Sequence, residues 1–257
     1  AKLKLAASVF THASEGITEL VLVTGHSGMG KTALVNEIRK PLSVHQGYYL
    51  RGKFEQQKRN VPFSAIAQIL EDLIHQILAE SEAKHRYYRQ LLLSSLGANA
   101  GLLCELVPEL TFLIGFQPVN TELANAERKN TFLRLIIQTI KVFAKPSHPL
   151  VVFIDDLQWA DTASLTLIHK MVQQLHNQHL LLILAYREND LYTHHPLPEL
   201  IQDLHSLTDR IRSLPLKPLV KSQIACLLSD TLSLPTEHCQ SLCDYVFTRT
   251  QGNPFYI

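Results

Sequence analysis

Leu20-Val21-Leu22-Val23-Thr24 runs straight into Gly25-His26-Ser27-Gly28-Met29-Gly30-Lys31-Thr32, and this stretch decides the fold. Its first residues are too few for a helix and apolar on both faces, so they read as a strand buried inside a parallel sheet. Behind the glycines, Leu34, Val35 and Ile38 share one face of a helix that Pro41 would stop. A strand, a glycine-rich turn and a helix start, carrying GxxxxGKT in that context, make a cradle for phosphate. Glycine lets backbone N–H groups curl around the β- and γ-phosphates, and the helix N-terminus adds its positive dipole. Lys31 neutralises phosphate charge, and the Thr32 hydroxyl is a ligand for Mg²⁺.

Outward from this point the chain alternates short aliphatic runs with amphipathic helical windows, the pattern of an α/β domain on a parallel sheet. Further strands are expected at Tyr48–Gly52, Leu150–Ile154 and Leu180–Tyr186, with a weaker fifth at Ile211–Leu216. Between the second and third, Pro62–Ser147 carries apolar residues at helical spacing. In its first helix Phe63, Ile66, Leu70, Leu73, Ile74 and Ile77 share a face. This is a helical insertion, broken into short helices and turns around Gly97, Gly101 and Pro108. After Pro218 two helical windows, Lys221–Leu232 and Pro235–Thr250, are joined by a turn at Ser233–Pro235, and Gln251–Ile257 brings no closing signal. The expected division is a core over 1–218 with its insertion at about 62–147, then the start of a helical lid over 219–257, both ends cut from something longer.

The chain has 257 residues, 46% hydrophobic and 18% charged, which excludes disorder as its main state. With 24 Lys and Arg against 23 Asp and Glu, the formal charge of +1 lacks the basic footprint of a dedicated nucleic-acid binder. The longest apolar runs, such as Leu180–Tyr186, fall far short of the roughly 20 residues of a membrane span. Cys104, Cys226, Cys239 and Cys243 have no paired CxxC spacing, and no charged-then-apolar leader opens the sequence. Free thiols in a reducing cytoplasm are therefore expected.

Val151-Val152-Phe153-Ile154-Asp155-Asp156 is a second chemical signal, an apolar strand that ends in two carboxylates. Adjacent strand residues point to opposite sides, so the two acids are expected to differ in role. Asp155 would hold the Mg²⁺ shell, and Asp156 would orient or deprotonate an attacking water. Arg187 follows the fourth strand directly. Ligands sit at the carboxyl ends of the strands in such sheets, so its cation can reach a γ-phosphate.

Several features read as structural. Asp161 with Thr162 is the N-cap of a helix bearing Leu165, Ile168, Met171 and Val172. Cys239, Cys243 and His238 read as packing rather than metal ligation, since no fourth ligand is spaced nearby. The thirteen histidines, His194 and His195 among them, read as solvated or capping. Arg51, Lys53, Lys58 and Arg59, near Tyr48, Tyr49 and Phe54, read as a solvated strand end before a nucleic-acid contact. Neither a GxSxG elbow nor an HExxH helix occurs.

With GHSGMGKT, VVFIDDLQWAD, LLLILAYRE and TQGNPFYI, nearly the whole chain resembles the P-loop ATPases of the AAA+ and STAND type. RGKFEQQKRNVPFSAIAQIL resembles, within them, the predicted ATPase module of bacterial multisensor signalling kinases. The resemblance implies a five-stranded parallel sheet with the Arg187 strand between the Walker A and Walker B strands. It matches Gly25 to Thr32 to the Walker A cradle, with Lys31 its lysine and Thr32 a Mg²⁺ ligand. Asp155 matches the Walker B metal residue, Asp156 the acid after it, and Arg187 the arginine that ends the sensor strand. Gly252-Asn253-Pro254-Phe255 looks like the place where the lid approaches the nucleotide, with Pro254 beside the base, while Trp159 of the QWAD run reads as packing.

The departures carry meaning too. Many AAA+ motors have glutamate where Asp156 stands, and a side chain one methylene shorter predicts slow hydrolysis. The GRE-type segment that helps hold adenine in the family would fall ahead of where this sequence begins, so an incomplete base pocket is expected, and no VAIK or HRD run of a kinase occurs. The resemblance implies ATP or ADP with Mg²⁺ as ligands and an ATP-driven switch that signals to other domains of a larger protein, with a nucleotide-dependent oligomer left open. Two rivals remain: a scaffold that binds nucleotide without turnover and works through its helical insertion, and the ATPase module of a transcription regulator, against which the net charge argues.

Overall fold

A computed structural model describes residues 11–39, 47–119, 125–175, 177–192 and 195–257. Pro41, expected to end the first helix, and His194 lie outside the described residues, as does the side chain of Ile38.

Five strands, β1 (Glu19–Thr24), β2 (Tyr48–Lys53), β3 (Leu150–Asp155), β4 (Leu180–Tyr186) and β5 (Ile211–Pro215), form one sheet in the order β2-β3-β4-β1-β5. Every pairing is parallel. All five expected strands are present to within a residue at each end, and β4 lies between β1 and β3 as the resemblance implied. β1, β3 and β4 are buried at every position, because helices cover both faces and leave no solvated side on which polar residues could alternate.

Alternation along the strands sorts the aliphatic residues into two cores. Leu20, Leu22, Val152, Ile154, Leu182 and Leu184 join the larger one, while Val21, Val23, Val151, Phe153, Leu181 and Ile183 join the smaller. The smaller face is closed by Val35 of α1 (Lys31–Arg39) and by Ala13. On the larger face lie the insertion helices α2 (Ser64–Leu78), α3 (Glu82–Leu96), α4 (Ala100–Leu106), α5 (Leu110–Ile114) and α6 (Asn125–Phe143). With them pack α7 (Thr162–Gln174) and α8 (Pro196–Leu207). Each fully buried Leu or Ile contributes about 1.5–3 kcal/mol over an exposed one, so this apolar mass is what holds the insertion on the sheet.

The six residues expected on one face of the first insertion helix are all buried, with one difference. Phe63 precedes α2 in a left-handed conformation at φ 61°, and its ring packs on Phe132 at 5.1 Å. Asp161 holds this corner. As N-cap of α7 it accepts from the Ser164 N–H at 2.9 Å, and its second oxygen accepts from the Phe63 N–H at 3.1 Å. His195 is capping rather than solvated: it is buried, its Nδ1 accepts from the Leu197 N–H at the start of α8, and its Nε2 therefore donates to the Gln158 carbonyl. Trp159 packs partly buried against the larger core.

After β5, α9 (Lys221–Leu232) and α10 (Gln240–Thr250) pack on each other through Ile224, Ala225 and Cys243. Cys239 and Cys243 are buried here, and His238 is exposed. The second window is helical from Thr236, its first turn being a 3₁₀ turn over Thr236–Cys239.

Candidate nucleotide site

Parallel pairing brings the carboxyl ends of all strands to one edge. In register, Lys53 lies opposite Asp155 and Thr24 opposite Tyr186. The loops that leave β1, β3 and β4 therefore open side by side, where α/β sheets bind their ligands.

Gly25, Gly28 and Gly30 have φ of 151°, 80° and 81°, so the turn after β1 takes a path closed to most side chains. Lys31, buried at the start of α1, reaches back over it, and its Nζ donates to the carbonyls of Gly25 at 2.7 Å and His26 at 3.1 Å. Burial, and after it the Arg187 guanidinium, lowers its pKa from the ordinary lysine value. Thr32 Oγ1 lies 3.5 Å from Asp155 Oδ2, joining the cradle to the end of β3.

Asp155 and Asp156 are both buried, and the Asp156 N–H donates to Asp155 Oδ1 at 3.0 Å. Burial, then the neighbouring Asp156 carboxylate, raises the Asp155 pKa. The expectation that strand alternation sends the two acids to opposite sides fails, for a local reason. β3 ends at Asp155, and Asp156 turns left-handed at φ 55°, which aspartate tolerates better than most residues. Both carboxylates consequently line the same cavity.

Asp156 is enclosed by donors. Gln158 Nε2 donates to Oδ1 at 2.8 Å, Arg187 Nη2 donates to Oδ2 at 3.4 Å, and Lys53 Nζ is 3.4 Å from Oδ2. Arg187 Nε stands 3.2 Å from Oδ1, yet it is buried without a hydrogen-bond acceptor. Gln158 is fully buried, and its Oε1 accepts the Arg187 N–H, so one amide positions both the acid and the arginine. Asp190 accepts from Arg187 Nη1 at 3.3 Å.

The basic cluster at and beyond the end of β2 is not simply solvated. Lys53 pairs with Asp156, and Arg51 lies 3.6 Å from Asp155 Oδ2. Lys58 pairs with Glu55, while Arg59 stacks on the Tyr192 ring and donates to its hydroxyl.

These groups surround an open cavity of about 420 Å³, lined by Ser27–Ala33, Lys53, the two aspartates, Arg187, Pro254 and Phe255. Gly25 and His26 stand outside that lining; their carbonyls hold Lys31 instead. Sequence reasoning missed Gln158 and read Lys53 outside the site, whereas Phe255 lies in the Gly252–Phe255 segment expected near the nucleotide. Lys53 was within reach, since it ends a strand at the edge where the other groups gather. The Gln158 amide gives no sequence signal.

The residues present fit a Mg²⁺-nucleotide. Lys31, Lys53 and Arg187 supply positive charge, and the orphaned Nε of Arg187 lacks an acceptor that a phosphate oxygen would provide. Thr32 and Asp155 offer the hard oxygen donors that Mg²⁺ prefers. A glycine cradle at the carboxyl edge of a parallel sheet, with cations facing it, makes this a P-loop nucleotide-binding protein by fold. A sequence model of the AAA ATPase domain matches residues 2–183, most of the chain, and the chain belongs to that family.

Among curated relatives, hybrid signal transduction histidine kinase G of Dictyostelium discoideum is 34% identical over 160 residues, which are 62% of this chain and 5% of that protein. Peroxide stress-activated histidine kinase mak2 of Schizosaccharomyces pombe is 26% identical over 264 residues, 93% of this chain and 11% of that protein. The chain thus spans a small fraction of either relative. Among solved structures, a signal transduction ATPase with numerous domains (STAND) from Pyrococcus horikoshii, with a tetratricopeptide repeat sensor, covers 96% of this chain and 28% of its own at 15% identity and a TM-score of 0.47.

Proposed function

We propose that the chain is a STAND-type switch module, binding Mg²⁺-ATP and hydrolysing it slowly within a larger cytoplasmic signalling protein, such as a multidomain kinase. In this reading residues 1–218 are the catalytic core and 219–257 the beginning of the lid that relays its state. Lys31 and the N–H groups of the Gly25–Thr32 turn hold the phosphates, and Pro254 stands beside the base. Mg²⁺, on Thr32 and Asp155, would neutralise charge on the phosphate oxygens. Asp156 orients the attacking water and takes up its proton, and Arg187 bears on the terminal phosphate.

The observation that carries slow turnover is the enclosure of Asp156. A carboxylate whose two oxygens are both engaged by Gln158, Arg187 and Lys53 is not free to meet an attacking water. It must shed a partner before it can accept a proton, and ATP has the charge to draw the two cations away. ADP, lacking the terminal phosphate, leaves them on Asp156, so the ADP state is the resting one.

The test is the nucleotide released by denaturing the purified protein, together with turnover of added ATP. Bound ADP and slow turnover, both lost in Lys31→Ala, are expected. Equal nucleotide affinity in Lys31→Ala would overturn the reading. A second reading, a nucleotide-bound scaffold without turnover, is favoured by Phe112 and Phe116, which stand 77% and 87% exposed on the insertion. Retained ATP with no ADP formed over many hours would select it.

A further inference from the structure

Three successive carbonyls of the phosphate turn each have a partner. Those of Gly25 and His26 accept from Lys31, within the core. The third, Ser27, accepts from Asn253 Nδ2 at 3.0 Å, across 226 residues of sequence. The turn is therefore held from inside by a lysine and from outside by the segment that follows α10.

How Asn253 reaches this point is visible in the backbone. α10 ends in two left-handed residues, Gln251 at φ 49° and Gly252 at φ 77°, which reverse the chain. The Gly252 carbonyl accepts the Leu219 N–H at 2.7 Å, and a Cβ on Gly252 would lie 2.1 Å from the Leu219 carbonyl oxygen. Asn253 Oδ1 accepts the Phe255 N–H at 3.0 Å, which fixes the amide so that its nitrogen faces Ser27. Only a side chain with an acceptor and a donor on one carbon satisfies both neighbours; aspartate keeps the first bond and loses the second. Opposite lies Gly28, where a Cβ would come within 2.5 Å of Asn253 Oδ1 and 2.8 Å of Phe255 Cβ. The bare Gly28 gives the segment its close approach.

We infer that Asn253 is a positioning residue that couples the lid to the phosphate turn through the Ser27 carbonyl, so that opening of one loosens the other. Asn253 touches no reacting atom; it acts by holding the turn. Nucleotide release must then break this bond, a consequence that rests on the function proposed above, whereas the coupling itself does not.

The experiment is hydrogen exchange on the nucleotide-free protein with Asn253→Ala and Asn253→Asp. Exchange in segments 25–32 and 252–257 should rise roughly three- to tenfold in both variants, as loss of one hydrogen bond implies. Protection in β1 and α10 should stay unchanged. If Asn253→Asp exchanges like wild type, the residue serves only its own turn with Phe255 and the inference is overturned. Should both variants also lose protection in β1, wild type in mild urea decides: the two segments open together if coupled, and separate opening overturns the inference. With a fluorescent ADP analogue, both variants should release the nucleotide three to ten times faster. Failure of wild type to bind the analogue would count against the proposed function, and the exchange result would still judge the coupling.

Discussion

Asp156 and Arg187 meet across the carboxyl ends of β3 and β4, with Nη2 donating to Oδ2 at 3.4 Å and Nε stranded 3.2 Å from Oδ1 without an acceptor. An arginine that is paired but not satisfied still has something to gain from a phosphate oxygen. Only ATP brings the terminal one. Arg187→Ala should therefore weaken binding of a non-hydrolysable ATP analogue at least tenfold, about 1.4 kcal/mol, while ADP affinity changes less than about threefold. Titration calorimetry with both ligands checks this. An equal loss for both would mean that Arg187 shapes the cavity without reading the terminal phosphate.

Lys53 competes for the same carboxylate. It is half-exposed, so its pairing with Asp156 at 3.4 Å is weak and easily exchanged. Lys53→Met keeps the stem and removes the charge. Steady-state turnover should rise several-fold, because one Asp156 oxygen is freed of a partner that competes with the attacking water. A fall in turnover with weaker ATP binding would make Lys53 a phosphate ligand instead.

Asp156→Asn keeps the shape and removes the base of the proposed reaction. Nucleotide should bind within about threefold of wild type, and single-turnover hydrolysis should drop by at least about a hundredfold, the usual contribution of a positioned general base. Undiminished hydrolysis would leave Asp155 or solvent to supply the base.

Much of this was legible in the sequence, and what was not has physical causes. The strands could be read because burial on both faces leaves aliphatic runs that few other structures produce, as in Leu180–Tyr186. The cradle could be read because glycine spacing and lysine position are dictated by phosphate itself. Asp156 was misplaced because strand alternation was carried one residue beyond the end of β3, into a left-handed residue. Gln158 escaped, and Asn253 could be read only as part of a segment near the nucleotide, because an amide becomes informative only once its partners are known. Arg51 and Lys53 were read against the net charge of the whole chain, although their partners are two carboxylates at the end of the next strand.

Asp161 should prove a stability residue. Its carboxylate caps α7 through the Ser164 N–H and also accepts the Phe63 N–H, which steadies a phenylalanine in a left-handed conformation. Asp161→Ala removes a cap worth about 1 kcal/mol and leaves a second donor without its acceptor, for a total loss of about 2–3 kcal/mol. Urea unfolding should show this as a lower midpoint at an unchanged slope, with Asp161→Asn losing less than half as much. A loss under about 0.5 kcal/mol would mean that water replaces both bonds.

Gly52 links the packing of the insertion to the chemistry. It lies in β2 between Arg51 and Lys53, and a Cβ there would sit 2.3 Å from the Ala65 carbonyl oxygen and 2.8 Å from the Ile69 side chain. Ala65 belongs to the first turn of α2, so the obstacle is backbone that cannot rotate away. Gly52→Ala must push β2 and α2 apart, and overpacking of this kind costs about 1–3 kcal/mol or somewhat more. Among the described strands β2 pairs only with β3, so it can shift without tearing the sheet. Such a shift carries Lys53 away from Asp156. The variant should thus be less stable by about 3 kcal/mol in urea yet hydrolyse ATP faster per folded molecule, as is expected of Lys53→Met. Lost stability with unchanged turnover would show that Lys53 does not restrain Asp156.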